Sequence, residues 1–354
     1  MSQPTNPRVG QYREQVTMFH IPPQPWTGRI DGDGPEHARW HSTIQPLHMH
    51  DAPCTSEPGL VEPGVVEPGT VLLGFASDEG VRRNQGRVGA AEGPQKLREM
   101  LASMAVHPKS GQPNYPRYDA GNINVTNSDL ESGQAAFGER VAELLDADHF
   151  TVGLGGGHEI AYASYLGVAD HLARVHDGEP FTLGVLNLDA HFDLREAERP
   201  TSGTGFLQMY QAEAAAGRAL HYGVVGISPA SNTTTLFRQA KAMGAEFLLD
   251  TECAHREEVT GFIRDFSSSV DYLYLTIDLD VLPAATAPGV SAPAAYGVDL
   301  PTVHAAALTA ARTKKLVHLD VAELNPSLDV DNRTARTAAR LIDEIVRAHE
   351  STRK

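Results

Sequence analysis

The sequence is poor in cysteine and has no long apolar run. Its 354 residues include two cysteines, Cys54 and Cys253, which can form at most one disulfide bond and cannot alone supply the thiolates of a structural zinc site. No apolar stretch approaches the roughly 18 residues of a membrane-spanning helix, and residues 1–16 lack the apolar segment of a signal peptide. These absences argue against a disulfide scaffold and predict a cytoplasmic protein.

Basic residues are also scarce. Lys and Arg number 29 against 45 Asp and Glu, which gives a formal net charge of −16, and the chain has no Lys- or Arg-rich run. A protein that binds nucleic acid or an anionic membrane needs positive charge to neutralise phosphates. We therefore expect neither partner and instead expect a small-molecule ligand. Hydrophobic residues make up 41% of the chain, which is enough for a folded core.

The first 69 residues differ in composition from the rest. They are rich in Pro, Gly and His, and Glu-Pro-Gly recurs at Glu57, Glu62 and Glu67. Because proline restricts the backbone and glycine loosens it, this pattern predicts a turn-rich N-terminal arm over residues 1–69 that lies along the main domain or a neighbouring subunit. Residues 70–354 are predicted to form the folded domain.

From residue 70 onward, short apolar runs alternate with longer segments of helical period. Seven buried strands are predicted: TVLLGFA from Thr70, FTVGLG from Phe150, FTLGVLNL from Phe181, HYGVVGI from His221, AEFLLD from Ala245, DYLYLTI from Asp271 and KLVHLDV from Lys315. Helices are predicted at 94–105, 135–145, 160–174, 301–313 and 334–349. The alternation predicts an α/β fold with a mostly parallel sheet covered on both faces, in which ligands bind beyond the carboxyl ends of strands.

Potential metal ligands follow three of these runs. They are His158 after FTVGLG, the trio Asp189, His191 and Asp193 after FTLGVLNL, and the pair Asp278 and Asp280 at the end of DYLYLTI. Side chains two residues apart in an extended chain point the same way. Four crowded carboxylates repel each other unless cations neutralise them. Carboxylates and imidazoles without thiolates favour Mn²⁺ over structural zinc, and six ligands suit two ions.

Each of these signals is weak alone, because a His after glycines is commonly a turn residue and a DxD pair commonly caps a helix. Their joint occurrence at three strand ends favours the metal interpretation. Glu323 follows a fourth strand end and is suited to bind a planar amidinium or guanidinium group through both of its oxygens. The alternative is that Glu323 bonds only to backbone groups. Asp320 lies earlier in the same strand, and a structural role is one interpretation for it.

Four motifs, GGGHE, DAHFD, TIDLDVLP and VAELNP, lie within residues 153–326 and resemble the ureohydrolase family of arginase, agmatinase and formimidoylglutamase. The segments GVRRN and GRVGA followed by Gly93-Pro94 extend the resemblance to residue 77. The resemblance implies a three-layer α/β/α domain with an eight-stranded parallel sheet, and a homo-oligomer. It also implies two Mn²⁺ ions per subunit, held by His158, Asp189, His191, Asp193, Asp278 and Asp280.

The loop after DAHFD distinguishes the members of the family. Arginase-like sequences carry a proton-shuttle His there and agmatinase-like sequences carry Ser-His-Gly-Thr, whereas this chain has Phe206 at the shuttle position and no His beside Ser202. Together with DLR ending in Arg195, GISPASNT and APGVSAPAAYGV, the loop resembles formimidoylglutamase instead.

The resemblance implies a substrate with two carboxylates besides its formimino group, so the pocket is expected to hold a fixed cation. Arg195, two residues after Asp193, is placed to be that cation. The alternative is that Arg195 pairs with a neighbouring glutamate, Glu196 or Glu198, on the surface. Ser202 and Asn232 are further candidates to bind substrate carboxylates.

The hypothesis is therefore a manganese-dependent hydrolase that converts N-formimidoyl-L-glutamate and water into L-glutamate and formamide, a step of histidine degradation. Glu323 would hold the amidinium, and Asp193 would pass a proton to the departing nitrogen. The alternative within the class is a guanidino-acid hydrolase, similar to guanidinobutyrase or agmatinase, that releases urea. A one-zinc deacetylase and a catalytically silent binding protein are the remaining alternatives.

Overall fold

A ten-stranded sheet runs through the computed structural model, which describes residues 19–48, 52–53, 65–107 and 115–353. The order of strands in the sheet is β1-β6-β5-β7-β12-β11-β8-β9-β10, with β2 also paired to β6, while β3 and β4 pair separately. The strands are β1 (His20–Ile21), β2 (Ile44–Pro46), β3 (Ala52–Pro53), β4 (Val65–Val66), β5 (Thr70–Ala76), β6 (Arg117–Asn124), β7 (Phe150–Gly155), β8 (Leu183–Leu188), β9 (His221–Ile227), β10 (Glu246–Leu249), β11 (Tyr272–Asp278) and β12 (Leu316–Ala322).

The eight strands from β6 to β10 along this order are parallel, and the short β1 is antiparallel to β6. The predicted mostly parallel sheet of eight strands is thus confirmed as the core of a larger sheet. All seven strands predicted from apolar runs are present. Of the eight core strands, β6 is the one that the apolar runs did not reveal, and its sequence RYDAGNIN is largely polar. The two- and three-residue strands β1 to β4 were not predicted either.

Helices cover both faces of the sheet. The helices are α1 (Trp40–Thr43), α2 (Glu79–Arg83), α3 (Gly93–Ala102), α4 (Leu130–Asp146), α5 (Ile160–His176), α6 (Gly205–Ala215), α7 (Thr234–Ala242), α8 (Arg256–Ser268), α9 (Leu300–Ala311) and α10 (Arg333–Glu350), with short 3-10 turns at Pro35–His37, Ala90–Glu92, Asp250–Glu252 and Leu279–Val281. One face carries α3, α8, α9 and α10, and the other carries α4, α5, α6 and α7, and each face has its own apolar cluster against the strands. This is the three-layer α/β/α architecture that the resemblance implied.

Local sequence accounts for the helix ends. Pro94 lies in the first turn of α3, where a proline nitrogen has no hydrogen-bond partner to lose. Asp129 and Asp299 cap α4 and α9 by accepting bonds from Ser132 and Thr302 nitrogens at 3.2 and 2.8 Å. The cap at Asp129 starts α4 five residues before the predicted position. In α10 the predicted apolar stripe, Ala338, Leu341, Ile342 and Ile345, is fully buried.

Part of the predicted N-terminal arm lies against the sheet edge. Residues of β1 and β2 border β6, and Trp40 is fully buried beneath them. Cys54 and the Glu-Pro-Gly repeats at Glu57 and Glu62 lie outside the described residues, and the division of the chain at residue 69 stays a prediction. Cys253 is a buried free thiol. Among the described residues, no helix is long and apolar enough to cross a membrane.

Candidate metal centre

The four adjacent strands at the centre of the sheet, in the order β7-β12-β11-β8, carry the candidate site at their carboxyl ends. His158 follows β7, Glu323 follows β12, Asp278 ends β11, and Asp189 follows β8. Because these strands are parallel, their carboxyl ends lie at one edge of the sheet. Residues separated by up to 165 positions along the chain therefore meet in one place, and the 2.8 Å bond from His158 N–H to Glu323 Oε1 is one such contact.

Two groups of side chains at this edge could each hold a metal ion. One comprises His158, Asp189 and Asp278, the other comprises Asp189, His191 and Asp280, and within each group the ligand atoms lie within 4.8 Å of one another. His158 Nδ1 is 3.1 Å from Asp189 Oδ2 and 3.3 Å from Asp278 Oδ2. His191 Nδ1 is 3.0 Å from Asp280 Oδ2. Asp189 belongs to both groups, with Oδ2 near His158 and Oδ1 near His191, so one carboxylate could serve both sites.

Asp193 completes the set of six predicted ligands. Its Oδ2 lies 3.1 Å from His158 Nδ1, on the same ring nitrogen that faces Asp189. The backbone of Asp193 has φ of +47°, a left-handed conformation that β-branched residues avoid and that turns the chain sharply after the Asp189–His191 segment. The structure thus brings all six residues together, as the sequence motifs indicated.

A hydrogen-bonded chain behind His158 fixes which of its ring nitrogens faces the carboxylates. Thr276 Oγ1 donates to Asp320 Oδ1 at 2.5 Å, so its oxygen is free to accept from His158 Nε2 at 3.0 Å. The other oxygen of Asp320 accepts from Tyr274 and, at 2.6 Å, from Ser164. Because Nε2 is bonded to Thr276, Nδ1 is the ring nitrogen that faces the candidate metal groups and would supply its lone pair to an ion bound there. Asp320 therefore has the structural role proposed from the sequence, and it acts through Thr276.

Burial and mutual repulsion govern the pKa values of the carboxylates. Burial and then the charge of Asp280 hold the pKa of Asp278 well above its ordinary value, and burial also raises the pKa values of Asp280 and Asp193. Burial alone would raise the pKa of Asp189 too, but hydrogen bonds from His158 and His191 bring that pKa well below the ordinary value. Buried carboxylates repel one another when they are ionised, and a divalent cation bound among them would stabilise their charged forms.

Glu323 stands beside the two groups. It is 5% exposed, and its backbone adopts a left-handed φ of +69° directly after β12. Oε1 accepts the backbone N–H of His158 at 2.8 Å, while Oε2 has no protein donor among the described residues. Burial, then the charge of Glu159, raises the pKa of Glu323 to about 8. A cation bound nearby would lower that pKa again and keep the carboxylate ionised.

A cavity of about 410 Å³ opens above these residues. Sequence reasoning identified the members His158, His191, Asp193, Arg195, Ser202, Asp278, Asp280 and Glu323. It assigned no chemistry to the remaining members, which are Val81, Asn84, Gln85, Gly86, Arg87, Ser291 and Ala292. Except for Gln85, these residues lie in the segments GVRRN, GRVGA and APGVSAPAAYGV, which were recognised only as family motifs. Membership of those motifs was the one signal in the sequence that could have found them.

The predicted substrate contacts occupy different positions. Arg195 lines the cavity, is exposed and makes no ion pair with any residue that the structure describes, so neither Glu196 nor Glu198 neutralises it. Ser202 also lines the cavity, and its hydroxyl accepts a bond from Asn84 Nδ2 at 3.1 Å.

Asn232 is buried and is not part of the cavity wall. Its amide donates to the carbonyls of Ala190 and Ser228, both at 2.9 Å, and its oxygen accepts Phe192 N–H at 3.1 Å. These bonds shape the loop that carries Asp189 and His191, and a contact with substrate stays a prediction. Phe206, at the shuttle position, is fully buried and packs edge-on against the ring of His158 at 5.5 Å between ring centroids.

This fold and this arrangement of ligands define the arginase-like class of three-layer α/β proteins with acidic and histidine groups at the carboxyl edge of the sheet. A family model described as the arginase family matches residues 69–347, and the chain belongs to that family. It is 53% identical over 328 residues to a formimidoylglutamase of Rhodococcus jostii (strain RHA1), with 92% of this chain and 96% of the relative covered.

Two further comparisons agree with this assignment. A formimidoylglutamase of Nocardia farcinica is 53% identical over 327 residues, covering 92% of this chain and 96% of the relative. Among solved structures, the crystal structure of Trypanosoma cruzi formiminoglutamase with Mn2+2 superposes with a TM-score of 0.71 at 25% identity, covering 81% of this chain and 95% of that one. The chain spans nearly the whole length of these relatives.

Proposed function

We propose that the chain hydrolyses N-formimidoyl-L-glutamate to L-glutamate and formamide. The observation that carries the proposal is the single cavity in which the carboxylate of Glu323 stands beside the two His/Asp groups, with the uncompensated guanidinium of Arg195 on its wall. Such a cavity combines a site for a planar cationic amidine with a site for an anionic group. The similarity to formimidoylglutamases over most of the chain supports the same substrate.

The residues fit a pair of Mn²⁺ ions. His158, Asp189, Asp193 and Asp278 would hold one, and Asp189, His191 and Asp280 would hold the other, with oxygen and imidazole donors of the kind Mn²⁺ accepts. The hydrogen bond from His158 Nε2 to Thr276 leaves the correct ring nitrogen for ligation. When bound, two divalent cations would lower the pKa of water at the site, so that hydroxide would be available near neutral pH.

Glu323 would bind and orient the substrate. Its Oε1 is fixed by the N–H of His158, and Oε2 is left to accept an N–H of the formimidoyl amidinium. As water adds to the formimidoyl carbon, that carbon becomes tetrahedral and its nitrogens become more basic. A fixed carboxylate at this position stabilises the positive charge that stays on them.

Asp193 would move the proton. The C–N bond to the glutamate nitrogen breaks as formamide forms, and the proton given up by the attacking water has to reach that nitrogen. Asp193 lines the cavity 3.1 Å from His158 Nδ1, and one of its two carboxylate oxygens could take up the proton while the other binds an ion. Because Phe206 is buried at the position of the arginase-like shuttle His, this carboxyl group is the cavity's candidate for the transfer.

The substrate's charge would be recognised away from the reacting carbon. Arg195 is proposed to bind a carboxylate of the glutamate part, with Ser202 beside it to donate a hydrogen bond. Asn232 contributes by holding the backbone of the Ala190–Phe192 turn. The expected homo-oligomer and the expected cytoplasmic location stay predictions.

The test is a substrate panel with the Mn²⁺-loaded protein. Release of formamide and glutamate from N-formimidoyl-L-glutamate is compared with release of urea from 4-guanidinobutyrate, agmatine and arginine. We expect turnover of the first compound only. Urea release from a guanidino acid, with no formamide, would instead establish the guanidino-acid hydrolase.

A matched variant tests the role of the aspartate. Asp193→Asn should lower both Mn²⁺ content and turnover, because the amide is a poorer ligand and cannot carry the proton. A variant that keeps two ions and full turnover would contradict this role.

A further inference from the structure

A second arginine, Arg87, lies on the cavity wall together with Arg195. It belongs to the turn between α2 and α3, whereas Arg195 belongs to the loop after β8. Both side chains line the same cavity as His158 and Glu323, and they are the two lysine or arginine residues of its wall. The site therefore carries two positive charges contributed by distant parts of the chain.

The segment that carries Arg87 is held in place through its backbone. Its N–H donates to Ser291 Oγ at 2.8 Å, and its carbonyl accepts from Asn325 Nδ2 at 3.1 Å. Two residues later, Gly89 N–H donates to Asp78 Oδ2 at 2.6 Å. Gly89 has φ of +130°, and an added Cβ would come within 2.4 Å of the Asn325 amide oxygen, so this turn requires glycine. Arg87 is thus presented from a rigid support.

The guanidinium of Arg87 is positioned but not neutralised. Nε donates to the Ser291 carbonyl at 2.9 Å and Nη2 to the Val290 carbonyl at 2.7 Å. Two of its five N–H groups are used in this way, and no carboxylate of residues 19–48, 65–107 or 115–353 forms an ion pair with it. The remaining three donors are available to a ligand, in the planar arrangement that matches a carboxylate.

Neighbouring arginines show that pairing is readily available in this acidic chain. Arg82 and Arg83, on the preceding helix, both bind Glu79 at 2.6 to 2.8 Å, and Arg83 also binds Glu131 at 2.9 Å. Arginines such as Arg312 lie off the cavity wall and also lack an ion pair in the described part of the chain, so the shared position of Arg87 and Arg195 on that wall is the observation that matters. The two unneutralised guanidinium groups on the cavity wall therefore indicate an anionic ligand with two separate negative groups.

We propose that Arg87 and Arg195 each bind one of the two carboxylates of the substrate, so that the cavity selects formimidoyl amino acids that are dianionic. This inference rests on the proposed function, since it concerns the same cavity and the same reaction. It adds a specificity-determining residue that the motifs did not assign, and it explains why one cation would not suffice: glutamate offers its α-carboxylate and its side-chain carboxylate at different distances from the reacting carbon.

The experiment combines two variants with three substrates. The substrates are N-formimidoyl-L-glutamate, N-formimidoyl-L-2-aminobutyrate, which lacks the side-chain carboxylate, and N-formimidoyl-4-aminobutyrate, which lacks the α-carboxylate. Arg87→Met and Arg195→Met are each assayed for kcat/KM in the Mn²⁺-loaded enzyme. Arg312→Met is the matched control, because Arg312 is exposed, follows α9 and lies off the cavity wall.

Each cavity variant should lose about 10- to 100-fold in kcat/KM on the glutamate derivative, the usual effect of removing one charge-assisted bidentate contact. Each variant should show no loss of kcat/KM on the analogue that lacks the carboxylate which its arginine binds. The analogue without a loss should therefore differ between the two variants. Arg312→Met should match the wild type on all three. Equal losses for Arg87→Met on all three substrates, or no loss on any, would overturn the proposal.

Two readouts separate this proposal from its alternatives. Metal content and thermal unfolding of Arg87→Met establish whether the turn has kept its fold, and Arg87→Lys retains the charge while losing the planar fork. Arg87→Lys should recover part of the lost kcat/KM on the glutamate derivative. If it does not, and Arg87→Met is unfolded, a structural role replaces the proposed one. A wild-type enzyme that releases no formamide from formimidoylglutamate would refute the proposed function itself, before any variant is compared.

Discussion

The hydroxyl of Thr276 offers the sharpest test of how the protein prepares its metal ligands. Thr276→Val keeps the shape of the side chain and removes the group that joins His158 Nε2 to Asp320 Oδ1. Both partners are buried, at 1% and 0% exposure, so water cannot replace the lost bonds. Leaving a buried donor or acceptor unpaired costs about 1–3 kcal/mol.

The consequence for metal binding follows from the proton on His158. Without an acceptor at Nε2, the ring is free to place its proton on Nδ1, which already lies 3.1 Å from carboxylate oxygens of Asp189 and Asp193. A metal ion then has to displace that proton. Removing an outer hydrogen bond of a ligating histidine typically weakens metal binding by about 10- to 100-fold, or about 1.4–2.8 kcal/mol.

Thr276→Ser is the matched control because it keeps the hydroxyl and removes only a methyl group. Mn²⁺ affinity is measured by competition with a chelating indicator, and bound metal is counted after gel filtration. We expect weaker binding at the site containing His158 in Thr276→Val and near wild-type binding in Thr276→Ser. Equal affinity in all three proteins would refute the idea that this hydroxyl sets the tautomer.

Three further outcomes follow from the structure. Glu323→Gln should keep both metal ions and lower kcat/KM by about 100-fold, since one charged partner of the amidinium is lost; metal analysis and formamide release check this. Gly203→Ala should raise KM with metal content unchanged, because a Cβ there would meet Arg195 Cδ at 3.0 Å. Burial lowers the pKa of His349 from 6.5 to about 4, so this ring is protonated at a lower pH in the folded chain than in the unfolded chain. The neutral ring therefore contributes about 3 kcal/mol at most to stability above pH 6.5, and this contribution is lost as the pH falls towards 4. In His349→Phe, the unfolding free energy measured with denaturant should depend less on pH between 6.5 and 4.

The sequence was most informative where apolar runs end in charged residues. The buried strands β7, β8, β11 and β12 are predominantly apolar, and the candidate site residues lie at their carboxyl ends or in the next few residues, so parallel topology brings these residues together. Helices with strong caps or apolar stripes were predicted with shifts of a few residues at their ends. Five helices of the described residues, α1, α2 and α6 to α8, were not predicted.

The features that the sequence did not reveal depend on contacts between distant segments. Strand β6 is polar because Asp119 pairs with Arg98 of α3 and Arg117 pairs with Glu350 of α10. The hydrophobic periodicity of β6 itself gives no sign of these partners. Likewise, the position of Arg87 depends on Ser291 and Asn325, which are more than 200 residues away. A cavity wall assembled from turns is set by tertiary contacts rather than by propensity.

The contact of Trp40 with the last helix has a practical consequence for anyone shortening this chain. The indole N–H donates to Asp343 Oδ1 at 2.8 Å, and Arg117 lies over the same ring at 4.4 Å from its centroid. A protein that begins at residue 69, where the family match starts, would lack the indole that donates to the buried Asp343 carboxylate. It would also lack β1 and β2, which pair with the edge strand β6. Expression trials should therefore retain the leading segment, since the part matched by the family model is smaller than the part held together by contacts.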